Sequence, residues 1–326
     1  MSIEKLKEKL QRTAANRLFP VQTQLDGIAF LSGEMAARQV RALDRLSSLC
    51  DAEFRVSSQW GEDGILEWLV HHLDGIPETF IEFGVENYRE SNTRFLLQHR
   101  NWRGLVIDGS DRNVDFIRRD SISWRHDLTA VASFITRENI NAVIVNAGFS
   151  GDIGILSVDI DGVDYWVWEA IECVSPQIIV VEYNSAFGDL LPLTVPYASD
   201  FVRAHAHFSN LYYGLSIRAA EHLATRRGYK LVGTNTAGSN AFFVRQDKAA
   251  EILRRLDSVI VRPSRFREGR DTDGALGFTR PADRSKALAD LPVIDVSTQI
   301  RIPLGEAGEL HSPHWQALLC GRLPTP

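Results

Sequence analysis

Apolar residues recur at roughly helical spacing over the first 50 positions, first Ile3, Leu6 and Leu10, then Ile28, Leu31, Met35, Val40, Leu43 and Leu46. This pattern predicts a helical extension interrupted at Pro20. From residue 51 the pattern changes to short apolar runs alternating with helical ones. Strands are predicted over 79–83, 104–108 and 153–160, with a short one near Ser123–His126 and a continuous apolar run, Ile178–Glu182, of the kind buried on both faces. Helices are predicted between them, one marked by Ile65, Leu66, Trp68 and Leu69, others near 92–100, 111–119, after Thr129 and over 163–174. Such alternation builds a mainly parallel sheet with right-handed crossovers.

The rhythm breaks after Glu182. Residues 183–214 form a long connection rich in Tyr, Pro, His and Asn, a length that in a compact domain usually serves function. A helix over 216–227 is stopped by Gly228, and Tyr229–Val232 and Ala241–Val244 are strands too close in sequence for anything but a hairpin. Five parallel strands closed by an antiparallel hairpin are therefore expected. Beyond 250 a helix, Lys248–Leu256, leads into a basic stretch without periodicity. The chain divides into a helical extension (1–50), an α/β domain (51–250) and a cap or tail (251–326).

Composition narrows the partners. A net charge of −6 gives no general drive toward nucleic acid or anionic membrane. Cys50, Cys173 and Cys320 are too far apart for metal spacing or a disulfide framework. The N-terminus has no continuous hydrophobic region and no later run approaches 18 apolar residues, so a cytoplasmic protein without a membrane span is expected.

Candidate chemistry centres on Thr79–Asn92, TFIEFGVENYRESN, a strand running into Glu82-Phe83-Gly84 and then toward a helix. A strand–turn–helix of this kind opens a ligand crevice at the carboxyl ends of parallel strands. Three acids, Glu82, Asp108 and Asp159, stand at the ends of successive predicted strands. Asp108 lies near the spacing at which a carboxylate meets a ribose diol. A dinucleotide would want G-x-G-x-x-G to admit its pyrophosphate, whereas here a single Gly84 is followed by Val85-Glu86-Asn87. Glu86 and Glu90 would repel phosphate, and a ligand with a positive centre, such as S-adenosylmethionine, fits better.

The segments EFGVENYRESNT, WRGLVIDGS, GILSVDIDGVDYWVWEAI, IIVVEYNSAFG and GYKLVGTN with GSNAFFV, in that order over residues 55–247, resemble the FkbM-like S-adenosylmethionine-dependent methyltransferases of glycan and natural-product pathways. The resemblance implies a class I methyltransferase fold, an α/β Rossmann-like seven-stranded sheet. It places S-adenosylmethionine near Glu82, Gly84 and Asp108, with Gln59, Ser110 and Asp159 as further cofactor residues. The chain departs from the class in one place: Asn87-Tyr88-Arg89 stands where a second glycine is common.

Asp159 and Asp161 follow one strand, and Glu182 and Asn184 follow its expected neighbour, a set of oxygen donors suited to a hard cation such as Mg²⁺. The arrangement is similar to that of metal-dependent O-methyltransferases. The alternative, a turn that shapes the site without metal, stays open. The candidate base for a hydroxyl proton is His205, His207 or Asp161. Tyr183, Tyr213 and Tyr212, with Trp166 and Trp168, are candidate stacking surfaces for a sugar, and Arg265 and Arg267, beside Arg262 and Arg270, are candidates for an anionic substrate group. The expected activity is methyl transfer to a hydroxyl of a saccharide or glycosylated metabolite. Its rivals are a nicotinamide-dependent oxidoreductase and a non-catalytic subunit, with the N-terminal helices as a homo-oligomer arm.

Overall fold

Seven strands form the central sheet of the structure, a computed structural model that describes residues 3–264 and 269–321. The strands are β1 (Thr79–Phe83), β2 (Arg103–Asp108), β3 (Leu128–Ala132), β4 (Gly151–Val158), β5 (Val174–Glu182), β7 (Tyr229–Thr234) and β8 (Asn240–Arg245), with the short β6 (Leu193–Thr194) lying outside this sheet. Across the sheet the order is β3-β2-β1-β4-β5-β8-β7, with β1 to β5 parallel and β8 antiparallel to both of its neighbours. This is the class I methyltransferase fold. Strand order reverses between β1 and β4, and a crevice opens beyond the carboxyl ends at such a switch point.

Side-chain alternation along each strand divides the core into two layers. Ile81, Phe83, Leu105, Ile107, Leu156 and Val181 pack into one cluster, and Phe80, Val106, Ile155, Val180 and Phe242 into the other. The hairpin and Gly228, at φ +79° just past the Ile217–Arg226 helix, stand as expected. One strand does not. Residues 122–125 form a helical turn, β3 begins at Leu128, and the next helix is Ile140–Asn146. β3, Leu-Thr-Ala-Val-Ala, is a half-buried edge strand in which only Ala130 is buried, and so short a run of mostly small apolar residues suits a helix as well as a strand. The first helix is also longer than expected: Ile3–Arg41 continues through Pro20.

The region after β8 packs on the same core. A small hairpin joins β9 (Gly269–Arg270) to β10 (Leu276–Gly277), and β11 (Pro292–Asp295) pairs with both β12 (Ile300–Pro303) and β6. The 183–214 connection and the C-terminal segment are thereby tied together, and Leu288, Val293, Leu304 and Trp315 join the cluster of Ile81 and Phe83. No helix among the described residues is long and apolar enough to cross a membrane.

Candidate active site at the carboxyl edge of the sheet

Strand alternation decides which side chains meet. Phe80 and Glu82 share a face of β1, as do Val106 and Asp108 on β2, Ile155 and Ser157 on β4, Val180 and Glu182 on β5, and Phe242 and Asn240 on β8. The apolar members of these pairs build one core layer. Their polar successors stand at the same edge of the sheet. There Glu82, Asp108, Glu182 and Asn240 line a cleft of about 800 Å³ with Gly84, Asp159 and Asp161, within the usual range of a small-molecule site. Gln59 and Trp60 close one side, and Phe134, Phe201, Arg203 and Phe278 stand around the rest of the lining.

Gly84 sets the geometry of the first turn. Its φ is +69°, and a Cβ there would lie 1.7 Å from the carbonyl oxygen of Asp159. The turn after β1 therefore sits directly against the end of β4, and only glycine permits that approach. Glu86 at φ +46° and Tyr88 at φ +60° continue the turn in the left-handed region, a costly conformation for residues with side chains. Glu82 and Asp108 hold this turn. The Glu82 carboxylate accepts from the backbone N–H groups of Asn92 (2.7 Å) and Thr93 (3.1 Å) and from the Thr93 hydroxyl (2.5 Å). Asp108 accepts from the backbone N–H of Glu86 (2.8 Å) and Ser110 (2.9 Å) and from Nδ2 of Asn113 (3.0 Å). Burial still lifts Glu82 to about 7, with the Thr93 and Asn92 donors pulling the other way.

At the other end of the cleft the carboxylates face each other. Asp159, Asp161 and Glu182 each bring one oxygen within 4.8 Å of the other two. Asp159 and Glu182 thus stand close enough for each charge to disfavour the other. Burial first, then the charges of Glu182, Asp161 and Asp164, holds the Asp159 carboxyl well above the usual carboxylate range. Asp164 shapes the turn below, accepting from the backbone N–H of Ile160 (2.8 Å) and Gly162 (2.9 Å), and burial raises it to about 7. Asp161, at φ +53°, is presented at the exposed rim of this turn and is ion-paired with Arg203.

Two buried polar atoms at the cleft make no hydrogen bond: Oγ of Ser91, on the Glu82 side, and Oδ1 of Asn240, the register partner of Glu182 on β8. Ser91 is 7% exposed and Asn240 6%. Buried groups without partners are rare and point to a missing ligand or water. Nδ2 of Asn240 donates to Glu62 (2.9 Å), which fixes the amide against the loop of Trp60 and Gly61.

Several expected residues lie elsewhere. Asn184 does not join the carboxylates, because its Nδ2 donates to the carbonyls of Leu211 (2.8 Å) and Tyr213 (3.0 Å) and its Oδ1 accepts from Ala186 (3.0 Å), capping a 3-10 turn. Tyr183 follows Glu182 and so points to the opposite face, where its hydroxyl donates to the Arg262 carbonyl. Tyr213 is buried beneath the Arg203 guanidinium, whose centre lies 4.0 Å from the ring. Trp166 and Tyr212 donate to the carbonyls of Val195 and Pro292, and Trp168 is buried in the core. The aromatic surfaces of the cleft are Trp60 and the phenylalanines instead. His205 is exposed on the Arg203–Ala206 turn, and His207 turns its Nδ1 to Ser209 Oγ (2.7 Å); neither lines the cleft. The Ser110 hydroxyl caps the Asp111–Arg119 helix. Arg265 and Arg267 lie outside the described residues. Arg262 is buried, with Nε 3.3 Å from Cys50 Sγ, and Arg270 bonds to the Gly274 carbonyl, so neither reaches the cleft.

No protein-family model matches this chain, and no curated protein does. Among solved structures the chain is similar to the O-methyltransferase from Bacillus cereus in complex with SAH (12% identity, 74% of this chain and 90% of that one, TM-score 0.35). It is also similar to the CcbJ methyltransferase from Streptomyces caelestis (12% identity, 63% and 98%, TM-score 0.37) and to the DszA carbon methyltransferase (12% identity, 57% and 53%, TM-score 0.35). The chain spans about half the length of the DszA enzyme. At these scores the likenesses carry no argument about chemistry, and the fold stands on strand order and direction.

Proposed function

We propose that the cleft binds S-adenosylmethionine and transfers its methyl group to a hydroxyl of a saccharide or glycosylated metabolite, with Mg²⁺ at the Asp159, Asp161 and Glu182 cluster. The observation that carries this reading is the convergence of three carboxylates, with the unpartnered Asn240 Oδ1 beside them, in a cleft at the switch point of this fold.

Residues on both sides fit the absent groups. On the β1 side the glycine turn leaves the backbone bare, and Ser91, whose buried Oγ has no partner, is part of the lining and offers a hydroxyl to a polar group of the cofactor. Asp108 uses three of roughly four acceptor positions on protein donors, leaving room for one ribose hydroxyl. No phosphate-binding glycine pattern accompanies them. On the β4–β5 side, carboxylate oxygens suit a hard cation, which would lower the pKa of a coordinated hydroxyl. S-adenosylmethionine, when bound, supplies an electrophilic methyl group. The chain's own contribution is then to align the acceptor oxygen with that carbon and to take one proton. Arg203 holds the Asp161 carboxylate at the exposed rim, where it would serve as a cation ligand or, without a cation, as the proton acceptor. Phe201 and the exposed Phe278 give a sugar ring an apolar surface and keep water from the reacting atoms.

Calorimetric titration with S-adenosylmethionine and separately with NAD⁺, each in Mg²⁺ and in EDTA, tests the reading. Saturable binding of S-adenosylmethionine alone is expected, followed by cation-dependent methyl transfer in a screen of glycan acceptors. No binding in either condition would overturn it in favour of a non-catalytic subunit, and binding of NAD⁺ in favour of an oxidoreductase.

A further inference from the structure

The Ile3–Arg41 helix has two apolar faces, and the body of the protein covers one. Phe30 packs on Phe95, with ring centroids 5.8 Å apart, and a Cβ on Gly33 would lie 2.3 Å from Val56; Ala37 and Val40 are buried. Val21, Leu25, Ile28, Leu31 and Met35 are 51–62% exposed. At about 100° per residue this second set lies roughly opposite the first. Residues 21 and 23–29 are exposed on every side, so this part of the helix stands clear of the core. A helix in water draws most of its stability from packing an apolar face, and nothing among the described residues covers this one.

The spacing identifies what does. The five exposed residues follow one another at intervals of 4, 3, 3 and 4, an average of 3.5, the period of a coiled-coil seam. The series also reads the same in both directions about Ile28. A two-fold axis at Ile28 sets Val21 of one copy against Met35 of the other, Leu25 against Leu31, and Ile28 against itself. An isologous interface demands this kind of self-complementarity, and other partners do not. In that register neither Asp26 nor Glu34 falls opposite another charged position. Five side chains of this size, about half exposed, offer on the order of 500 Å² per copy, so pairing removes about 1,000 Å², the lower bound for a specific interface. The two bodies lie on outer sides of the helix pair and do not compete for the seam.

We propose that this chain forms a homodimer through antiparallel pairing of the Val21–Met35 stripe with the same stripe of a second copy. The proposal is independent of the activity of the cleft. It is tested on the full chain by sedimentation velocity across a micromolar concentration series. Twice the monomer mass is expected, and Ile28→Asp with Leu31→Glu should return it to the monomer mass without changing Tm by more than a few degrees, since both side chains face solvent in the single chain. Direction is read by disulfide trapping in a Cys320→Ser background. A mixture of Val21→Cys and Met35→Cys proteins should cross-link to each other, and Val21→Cys alone should not. A monomer throughout the series, a dimer that survives the double substitution, or self-cross-linking of Val21→Cys would each overturn the proposal. Co-sedimentation of a monomeric chain with vesicles of anionic phospholipid would overturn it in favour of a membrane-surface role for the stripe.

Discussion

The two halves of the cleft use carboxylates in opposite ways. On the β1–β2 side Glu82 and Asp108 each accept three protein hydrogen bonds, mostly from backbone N–H groups of the loop they support. On the β4–β5 side Asp159, Asp161 and Glu182 face one another, with Arg203 paired to Asp161 at the rim. Buried like charges without donors are costly, and a fold keeps them where a ligand compensates. On the function proposed above, the first group is scaffold that touches the cofactor at its edge. The second is the part of the site that a ligand would complete.

The strongest test of this contrast is the residue that joins the halves. Gly84→Ala forces a Cβ into the Asp159 carbonyl at a position already at φ +69°, and because the obstacle is backbone, the turn itself must move. A loss of about 3 kcal/mol or more is expected, with failure to bind S-adenosylmethionine even in whatever folded protein is recovered. Denaturant unfolding and calorimetry read the two effects. A variant of wild-type stability and affinity would mean that the two halves are not in contact as described.

The next effect is a pH dependence. Glu82 and Asp164 bind protons more tightly in the fold than in the unfolded chain, at about 7 against 4.5 and 3.8, and Asp63 follows at about 6. Between pH 4 and 7 the folded state therefore holds more protons than the unfolded one, and stability falls as pH rises, by at most on the order of 3 kcal/mol for Glu82. In EDTA, Tm should decline from pH 5 to pH 8. Mg²⁺ should reduce the decline, because it compensates the ionised Asp159–Glu182 pair at the high-pH end. A Tm that rises over this interval in EDTA would show that these carboxyls are ionised at low pH and that their donors outweigh burial.

Conservative amides then separate the halves residue by residue. Asp159→Asn removes like-charge repulsion, so it should raise Tm in EDTA while lowering cation affinity and methyl transfer by roughly 100-fold. Glu82→Gln turns an acceptor oxygen into a donor facing N–H groups, and should cost about 1–3 kcal/mol of stability with a smaller effect on cation affinity. Equal behaviour of the two variants would erase the distinction between scaffold and site.

Much of this contrast is invisible in sequence for a physical reason. Long apolar runs mark β4 and β5, and the short Gly233–Asn240 link forces a hairpin, so the sheet and the acids at its strand ends are legible. Which oxygens those acids have left over depends on loop N–H groups such as that of Glu86, 22 residues from Asp108 in the chain. Asn184 looked like a cation ligand because it sits two residues past Glu182, where alternation would return it to the same face. The chain turns there, and the amide beside Glu182 comes from Asn240, which is adjacent only through antiparallel register. Histidine type likewise drew attention to His205 and His207, whereas Phe201 and Arg203, a few residues earlier, are the members of that connection that line the cleft.

Arg203 supplies the smallest and most discriminating effect. Its ion pair with Asp161 lies at the rim, where such pairs contribute less than about 1 kcal/mol, and the Asn210 hydrogen bond and the contact over Tyr213 add about as much again, so Arg203→Gln should change stability only modestly. If the guanidinium competes with a cation for the Asp161 oxygen, the substitution should raise Mg²⁺ affinity severalfold, opposite to the loss expected for Asp161→Asn. If Arg203 instead anchors an acceptor, KM for the acceptor rises while Mg²⁺ affinity stays unchanged. Cation titration and acceptor kinetics on this one variant therefore assign the rim of the cleft either to the cation or to the substrate. The outcome also decides whether the carboxylate half of the site stands closed by its own arginine until a ligand opens it.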